Sequence, residues 1–205
     1  MSRDLILTPV AIAELRPTQI TLGYREVALK RRQWRDHAGD NLLEFLQRHV
    51  VPTVLGPKEH YYLVDHHHLV LAMLEEKVEA VTVSVQADLS RLAPYSFWVY
   101  LDDRSWCHAY DEQGRRRDFD EIPKSINKMK DDPYRSLAGE LRRAGGFAKD
   151  VTPFSEFLWA DFLRGRVDKE LVEDNFGDAL VQALALAKEE DANYLPGWCG
   201  PDPVS

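Results

Sequence analysis

Tyr61-Tyr62-Leu63-Val64-Asp65-His66-His67-His68-Leu69-Val70-Leu71-Ala72-Met73-Leu74 is the stretch on which the reading of this chain turns. The first four residues form a short apolar run that fits a buried strand, and Leu69 to Leu74 form a second that fits a helix. An acid and three imidazoles therefore fall on a strand-to-helix turn. The first N–H groups of a helix have no acceptor within it and attract anions, phosphate above all. Carboxylate and imidazole at such a place can hold a metal, move a proton or steady a phosphate.

Upstream, residues 5–7 fit an opening strand. Leu15-Arg16-Pro17-Thr18-Gln19 fits a turn, because proline fixes its own φ and restricts the residue before it. Residues 23–35 predict a helix whose apolar side is Val27, the stem of Lys30 and Trp34, with a strongly basic remainder. Asp40 is placed to cap a second helix through Leu42, Leu43, Phe45 and Leu46. Residues 50–55 read as a strand in which Pro52 marks an edge or a strand start, and residues 56–59 as a turn. Downstream, residues 78–85 are rich in β-branched side chains and predict another strand.

After Asp88 the character changes. Residues 94–101 fit helix or strand, and residues 114–121 a polar loop. Residues 134–144 predict a helix that stops at Gly145-Gly146. Pro153-Phe154 opens a helix carrying Phe157, Leu158, Phe162 and Leu163 on one broad face. Residues 171–176 and 179–187 add two more helical segments. Residues 193–205, rich in proline and glycine, predict an extended tail. The expected class is α+β: a small mixed-sheet unit over residues 1–90, then a mainly helical extension over residues 91–205. No proline- or glycine-rich linker separates them, so the expectation is one body.

The chain has 205 residues, and its 44% hydrophobic and 29% charged content is that of a globular protein. A net charge of −8 argues against a dedicated DNA-coating surface, since nonspecific DNA affinity comes from lysine and arginine neutralising phosphates. The N-terminus lacks the apolar core of a signal peptide, and no stretch approaches the roughly 20 apolar residues that span a bilayer. Cys107 and Cys199 lie far apart with no CxxC pair, so a structural zinc knuckle is not expected. These features predict a cytoplasmic protein with reduced thiols and no membrane association.

Three consecutive imidazoles cannot easily converge on one ion, because on a helix they splay about 100° apart. A site of Asp65 plus one histidine remains open. So does the plainer reading, with one ring in the core, one in solvent and Asp65 capping the helix. On residues 23–35, Glu26 is a lone acid among Arg25, Lys30, Arg31, Arg32 and Arg35. A carboxylate surrounded by cations stays ionised and can orient a hydroxyl or water while the cations hold phosphate. The same pattern also reads as a solvated basic face with a Glu26–Lys30 pair at i,i+4 spacing. Arg115-Arg116-Arg117 is balanced by Asp118, Asp120 and Glu121. Neither a Walker-type loop nor a GxGxxG fingerprint is present. Cys107 beside His108 has no activating geometry, because adjacent residues seldom face each other.

A Thr-Gln turn, a Gly-Tyr-Arg-Glu-Val helix start, a Val-Pro strand and Tyr-Leu-Val-Asp-His-His-His together resemble the ParB/sulfiredoxin superfamily over roughly residues 5–88. The closer resemblance is to its branch of ParB-like nucleases. Residues 132–139 and 156–164 are similar to that branch as well. Members of the superfamily bear an Asp-Gly-His-His-Arg-type segment after a strand, where phosphate or nucleotide binds, and Asp65, His67 and His68 match its acid and histidines. In the superfamily's kinases for free serine an Arg-Glu pair on the early helix supplies a catalytic glutamate, a role the resemblance carries to Glu26.

The departures are His66 at the segment's glycine and Leu69 at its arginine; Leu69 cannot pair with phosphate, which leaves that task to Arg25 or Lys30. The sulfinic-acid reductase's Gly-Cys-His-Arg and the partitioning proteins' arginine-rich motif have no counterpart. The resemblance thus implies an enzyme acting on phosphate bonds, by nucleotide-dependent phosphoryl transfer or phosphoester hydrolysis. Glu26, His67 and His68 would be catalytic, and Asp65, His66, Arg25 and Lys30 would hold phosphate or nucleotide. Asp65 would serve a Mg2+ ion, and ATP, ADP or CTP would be the nucleotide. The partner would be a nucleotide or a small phosphorylated or hydroxyl compound, with DNA disfavoured by charge. The alternative is a non-catalytic module that binds a nucleotide or a protein.

Overall fold

Apolar residues spaced by two along the strands divide between two faces of one sheet. Val81 and Val83 of β5 (Ala80–Asp88) point to the same core as Val51 of β3 (Val51–Leu55) and Leu63 of β4 (Tyr61–Leu63). Val54 and Tyr62, one step out of phase with these, point to a second core with Phe97, Leu101 and Cys107. With β1 (Leu7–Ala11) at its edge the sheet has the order β1-β5-β3-β4. β1 runs antiparallel to β5 with Leu7 opposite Ser84, β5 parallel to β3, and β3 antiparallel to β4 with Leu55 opposite Tyr61. The computed structural model describes residues 7–37 and 49–201. The strand expected at residues 5–7 is described from Leu7 onward, and the helix expected after Asp40 lies outside the described residues.

Two helices cover the first face. α1 (Tyr24–His37) follows the short strand β2 (Thr21–Leu22), and α2 (His67–Glu75) follows β4. They bury Val27 and Trp34 from α1 and Leu69, Val70, Ala72 and Met73 from α2. Fully burying each large aliphatic side chain stabilises by about 1.5–3 kcal/mol. The other face is covered by α3 (Pro94–Asp103), which resolves the helix-or-strand ambiguity at residues 94–101 in favour of helix. Pro52 lies in an interior strand. The Pro52 carbonyl accepts from the Val64 N–H just past the end of β4, so the side on which proline lacks a donor is the side where the ladder has ended. Proline thus marks a strand start here and not a sheet edge.

The chain divides into two compact units, Met1–Asp131 and Asp132–Ser205. The first closes with β6 (Lys130–Asp131), which pairs parallel to β2. Residues 91–131 therefore belong with the sheet.

The second unit is helical: α4 (Pro133–Arg143), α5 (Ser155–Arg164), α6 (Lys169–Asp174) and α7 (Phe176–Leu186). Asp132 caps α4 by accepting from the Tyr134 N–H at 3.0 Å, and Pro133 occupies the first helical position. Gly145, at φ 84°, ends the helix. Trp159 is fully buried, stacks on Phe147 and donates from Nε1 to the Pro196 carbonyl. Leu158, 43% exposed, departs from the apolar face expected of α5 because it lies about 100° around the helix from both Phe157 and Trp159, on the side of exposed Asp161.

Residues 193–205 do not start as an extended tail. Leu195 is buried, Ala148 donates its N–H to the Gly197 carbonyl, and a Cβ at Gly197 would meet the Ala148 carbonyl, so glycine is required at that close approach. Tryptophan packing and two backbone-type acceptors outweigh the proline content that suggested a loose end. Among the described residues no helix is long and apolar enough to cross a membrane.

Candidate phosphate site at the Asp65–His68 turn

Helix α2 begins two residues earlier than its apolar run. Its N-cap is His66, in the left-handed region at φ 67°, ψ 20°, and no side chain caps the first turn. Asp65 is therefore not the cap. Its Oδ1 accepts from the adjacent His66 N–H at 2.6 Å, and its Oδ2 lies 3.5 Å from His66 Nδ1. The hydrogen bond with His66 holds the Asp65 carboxyl down at about 2, so it is ionised at neutral pH. Its side chain is 75% exposed.

His66 stands where the related segment carries glycine, and its positive φ gives the physical reason for that glycine. A non-glycine residue in the left-handed region costs about 1–2 kcal/mol. His66→Gly is expected to raise stability by about 1 kcal/mol, measured by urea denaturation. No gain would mean that the Asp65–His66 contact offsets the backbone strain.

The remaining two imidazoles diverge, as expected for helical neighbours. His67 is 4% exposed, and its Nε2 accepts the Thr18 backbone N–H at 3.2 Å. His68 is partly buried, and its Nε2 accepts the Gly23 N–H at 3.1 Å. An accepting ring nitrogen carries no proton, so both rings are neutral Nδ1–H tautomers. The Thr18 hydroxyl donates to the Leu63 carbonyl at 2.6 Å, and Thr18 N–H, His67 and Leu63 lock the turn to residues 15–19. Thr18 was legible in sequence only as part of a turn; nothing in its local pattern announces that it receives a histidine.

Gly23 is the residue on which α1 begins: the Glu26 and Val27 N–H groups both donate to its carbonyl. The His68–Gly23 bond therefore brings the first turn of α1 beside the first turn of α2. Glu26 lies in that turn, its side chain 18% exposed and 3.9 Å from Lys30. Arg25 is exposed and Lys30 partly so. Tyr24 N–H donates to Asp131 Oδ1 at 2.7 Å, and the Tyr24 hydroxyl donates to the Met129 carbonyl. Asp131 thus caps α1 from a distant position, which no local motif reveals.

The basic side of α1 splits by depth. Arg31 bonds Glu75 at 2.8 Å and Glu76 at 2.6 Å, and Arg35 bonds both oxygens of Glu76. These two arginines tie the C-terminal ends of α1 and α2 together, while Arg25 and Lys30 stay near the turn. Hydrogen bonds from Arg35 and then Arg31 hold the Glu76 carboxyl at about 2, below the ordinary 4.5. A carboxyl depressed in the folded state stabilises above its unfolded pKa and loses that contribution as pH falls toward the folded one. Glu76→Gln is expected to cost about 1 kcal/mol at pH 7 and progressively less as the pH falls from about 4.5 through 2, a convergence that unfolding curves across that range would reveal.

Among the described residues no three His, Cys, Asp or Glu side chains converge to hold a metal ion. Cys107 is buried, and burial pushes its thiol up to about 12, in keeping with the lack of an activating neighbour in sequence. Arg116 and Arg117 pair with Asp102 and Glu121, so the arginine run is a balanced surface loop.

A mixed sheet whose strand-to-helix turn carries Asp65 to His68, tied to the Gly23–Glu26 helix start, defines a ParB/sulfiredoxin-like α+β protein. The model of the family described as "Putative ParB-like nuclease" matches residues 8–165. The chain belongs to the ParB-like nuclease family. Its structure is similar to the crystal structure of protein Atu1540 from Agrobacterium tumefaciens, with a TM-score of 0.90 and 52% identity over 97% of this chain and 100% of that one. No curated protein matches the chain.

Proposed function

We propose that this protein is an enzyme acting on phosphate bonds, by nucleotide-dependent phosphoryl transfer or phosphoester hydrolysis, at the junction of α1 and α2. The observation that carries this reading is the 3.1 Å bond from Gly23 N–H to His68 Nε2, which joins an uncapped helix start to the turn bearing Glu26. No side chain caps α2's first turn, where the positive end of the helix dipole favours a phosphate, and Arg25 and Lys30 supply positive charge beside it. Glu26 orients the acceptor, a small hydroxyl compound or water, and takes its proton. His66 lines the turn next to the phosphate. His68, bonded to Gly23 N–H, fixes the two helix starts in register, and His67, bonded to Thr18 N–H, ties α2 to the turn at residues 15–19, leaving positioning and charge neutralisation as the main catalytic effects.

Asp65, an exposed and ionised hard-oxygen donor, fits a Mg2+ ion that keeps most of its waters. Such an ion would neutralise charge on the phosphate oxygens. The test is the thermal shift of the full chain with ATP, ADP and CTP, each with and without magnesium. A nucleotide that binds the folded state raises Tm. If none does, the nucleotide-dependent reading fails.

The engagement of both histidine Nε2 atoms favours one second reading, a non-catalytic module that binds a nucleotide or a protein. It is separated from the first by whether the stabilising nucleotide is turned over.

A further inference from the structure

A second concavity of the first unit, about 390 Å³, opens between Glu14, Arg16, Glu59, His60, Tyr61 and Lys124. That volume is in the range of small-molecule sites. Its floor is a built pair: Arg16 Nη2 donates to His60 Nε2 at 2.7 Å. A guanidinium has no acceptor, so the His60 ring is neutral there with its proton on Nδ1. Burial and the nearby charges of Arg16 and Lys58 lower the His60 pKa, which keeps that state. The backbone holds the pair in place. Arg16 N–H donates to the Tyr61 carbonyl at 2.9 Å, Leu63 N–H to the Arg16 carbonyl at 2.8 Å, and Gly56 N–H to the His60 carbonyl at 2.8 Å.

The rim has both signs of charge. Lys124 stands on it with the carboxylates of Glu14 and Glu59. Among the described residues no ion pair joins Arg16 or Lys124 to either carboxylate. Lys58 and Glu59 are consecutive non-glycine residues at φ 60° and 59°, so Glu59 is held at the rim by strained backbone. A simple anion would meet the guanidinium but also two carboxylates, and a simple cation the reverse. A ligand carrying both signs satisfies each side.

We propose that this cavity binds a small zwitterion, with its phosphate or carboxylate on Arg16 and Lys124 and its ammonium group against Glu14 and Glu59. The site is separate from the Asp65–His68 turn and does not depend on the reaction proposed there.

The test is isothermal calorimetry and 1H–15N NMR titration of the full chain with O-phosphoethanolamine and β-alanine, against ethyl phosphate and ethylamine as single-charge controls. The expected result is binding of at least one zwitterion, about ten-fold tighter than either control, with the phosphate and carboxylate arms showing which anion is preferred. Arg16→Gln should abolish it. Lys124→Gln, at an exposed position where folding is not at stake, should weaken it several-fold, as should Glu59→Gln. Three outcomes would overturn the proposal: no zwitterion perturbing the Arg16 and His60 resonances, a single-charge control binding as tightly, or Lys124→Gln and Glu59→Gln both leaving affinity unchanged.

Discussion

His67→Ala is expected to destabilise the first unit by about 2–4 kcal/mol. The ring is buried, and its removal leaves the Thr18 N–H without the acceptor it has in the native structure. An unsatisfied buried donor costs about 1–3 kcal/mol, and the void left by the ring adds to that. His67→Phe separates the two contributions: it fills the space but offers no acceptor, so it should retain most of the donor penalty. Hydrogen exchange at the Thr18 amide gives the local readout, slow in the wild type and accelerated in both variants. Unchanged Thr18 exchange, with stability lost in His67→Ala but kept in His67→Phe, would mean that the ring only fills space, and that the turn is held by the Thr18 hydroxyl on Leu63 alone.

Glu26→Gln should reduce turnover by about 10²- to 10⁴-fold, the usual contribution of a positioned general base, while the nucleotide that raises Tm continues to do so. The substitution keeps size and hydrogen-bonding reach and removes only the charge and the basicity. It also removes one partner of Lys30, but an i,i+4 pair on a helix at 3.9 Å is worth about 0.3–0.5 kcal/mol, and Lys30 keeps its bond to Gln33. Phosphate release from that nucleotide, measured at saturation, is the assay. If the rate falls less than about three-fold, Glu26 lies outside the chemistry. If neither protein turns the nucleotide over, alone or with small hydroxyl acceptors added, the binding-module reading is the one supported.

Much of the first unit was legible because its elements are short and strongly patterned. Residues 23–35 carry a helical period, and α1 spans Tyr24–His37. Residues 61–64 are too few and too apolar for anything but a strand, and β4 spans Tyr61–Leu63. The exact start of α2 was not legible, because it depends on His66 adopting a left-handed conformation that glycine would adopt at less cost. The order of residues 193–199 was also hidden: Trp159 reaches the Pro196 carbonyl across 37 positions, and local composition carries no trace of so distant a partner.

At the candidate site the types of residue were readable but not their duties. Asp65 was expected either to cap the helix or to serve a ligand, and its carboxylate accepts from its own neighbour. Arg31 and Arg35 had the same standing as Arg25 and Lys30 until Glu75 and Glu76, some 45 positions away, were seen to engage them.

From the order of amino acids alone follow the α+β class, the strand-to-helix turn at Asp65–His68, the basic early helix with its single acid, and the family resemblance. All are set by spacing of a few residues, which backbone geometry converts directly into faces and turns. Only the folded chain decides that His67 and His68 grip two different backbone amides, that Asp131 caps α1, and that Arg16, His60 and Lys124 line one cavity. These are contacts between distant segments, and their partners are chosen by how the helices and strands pack.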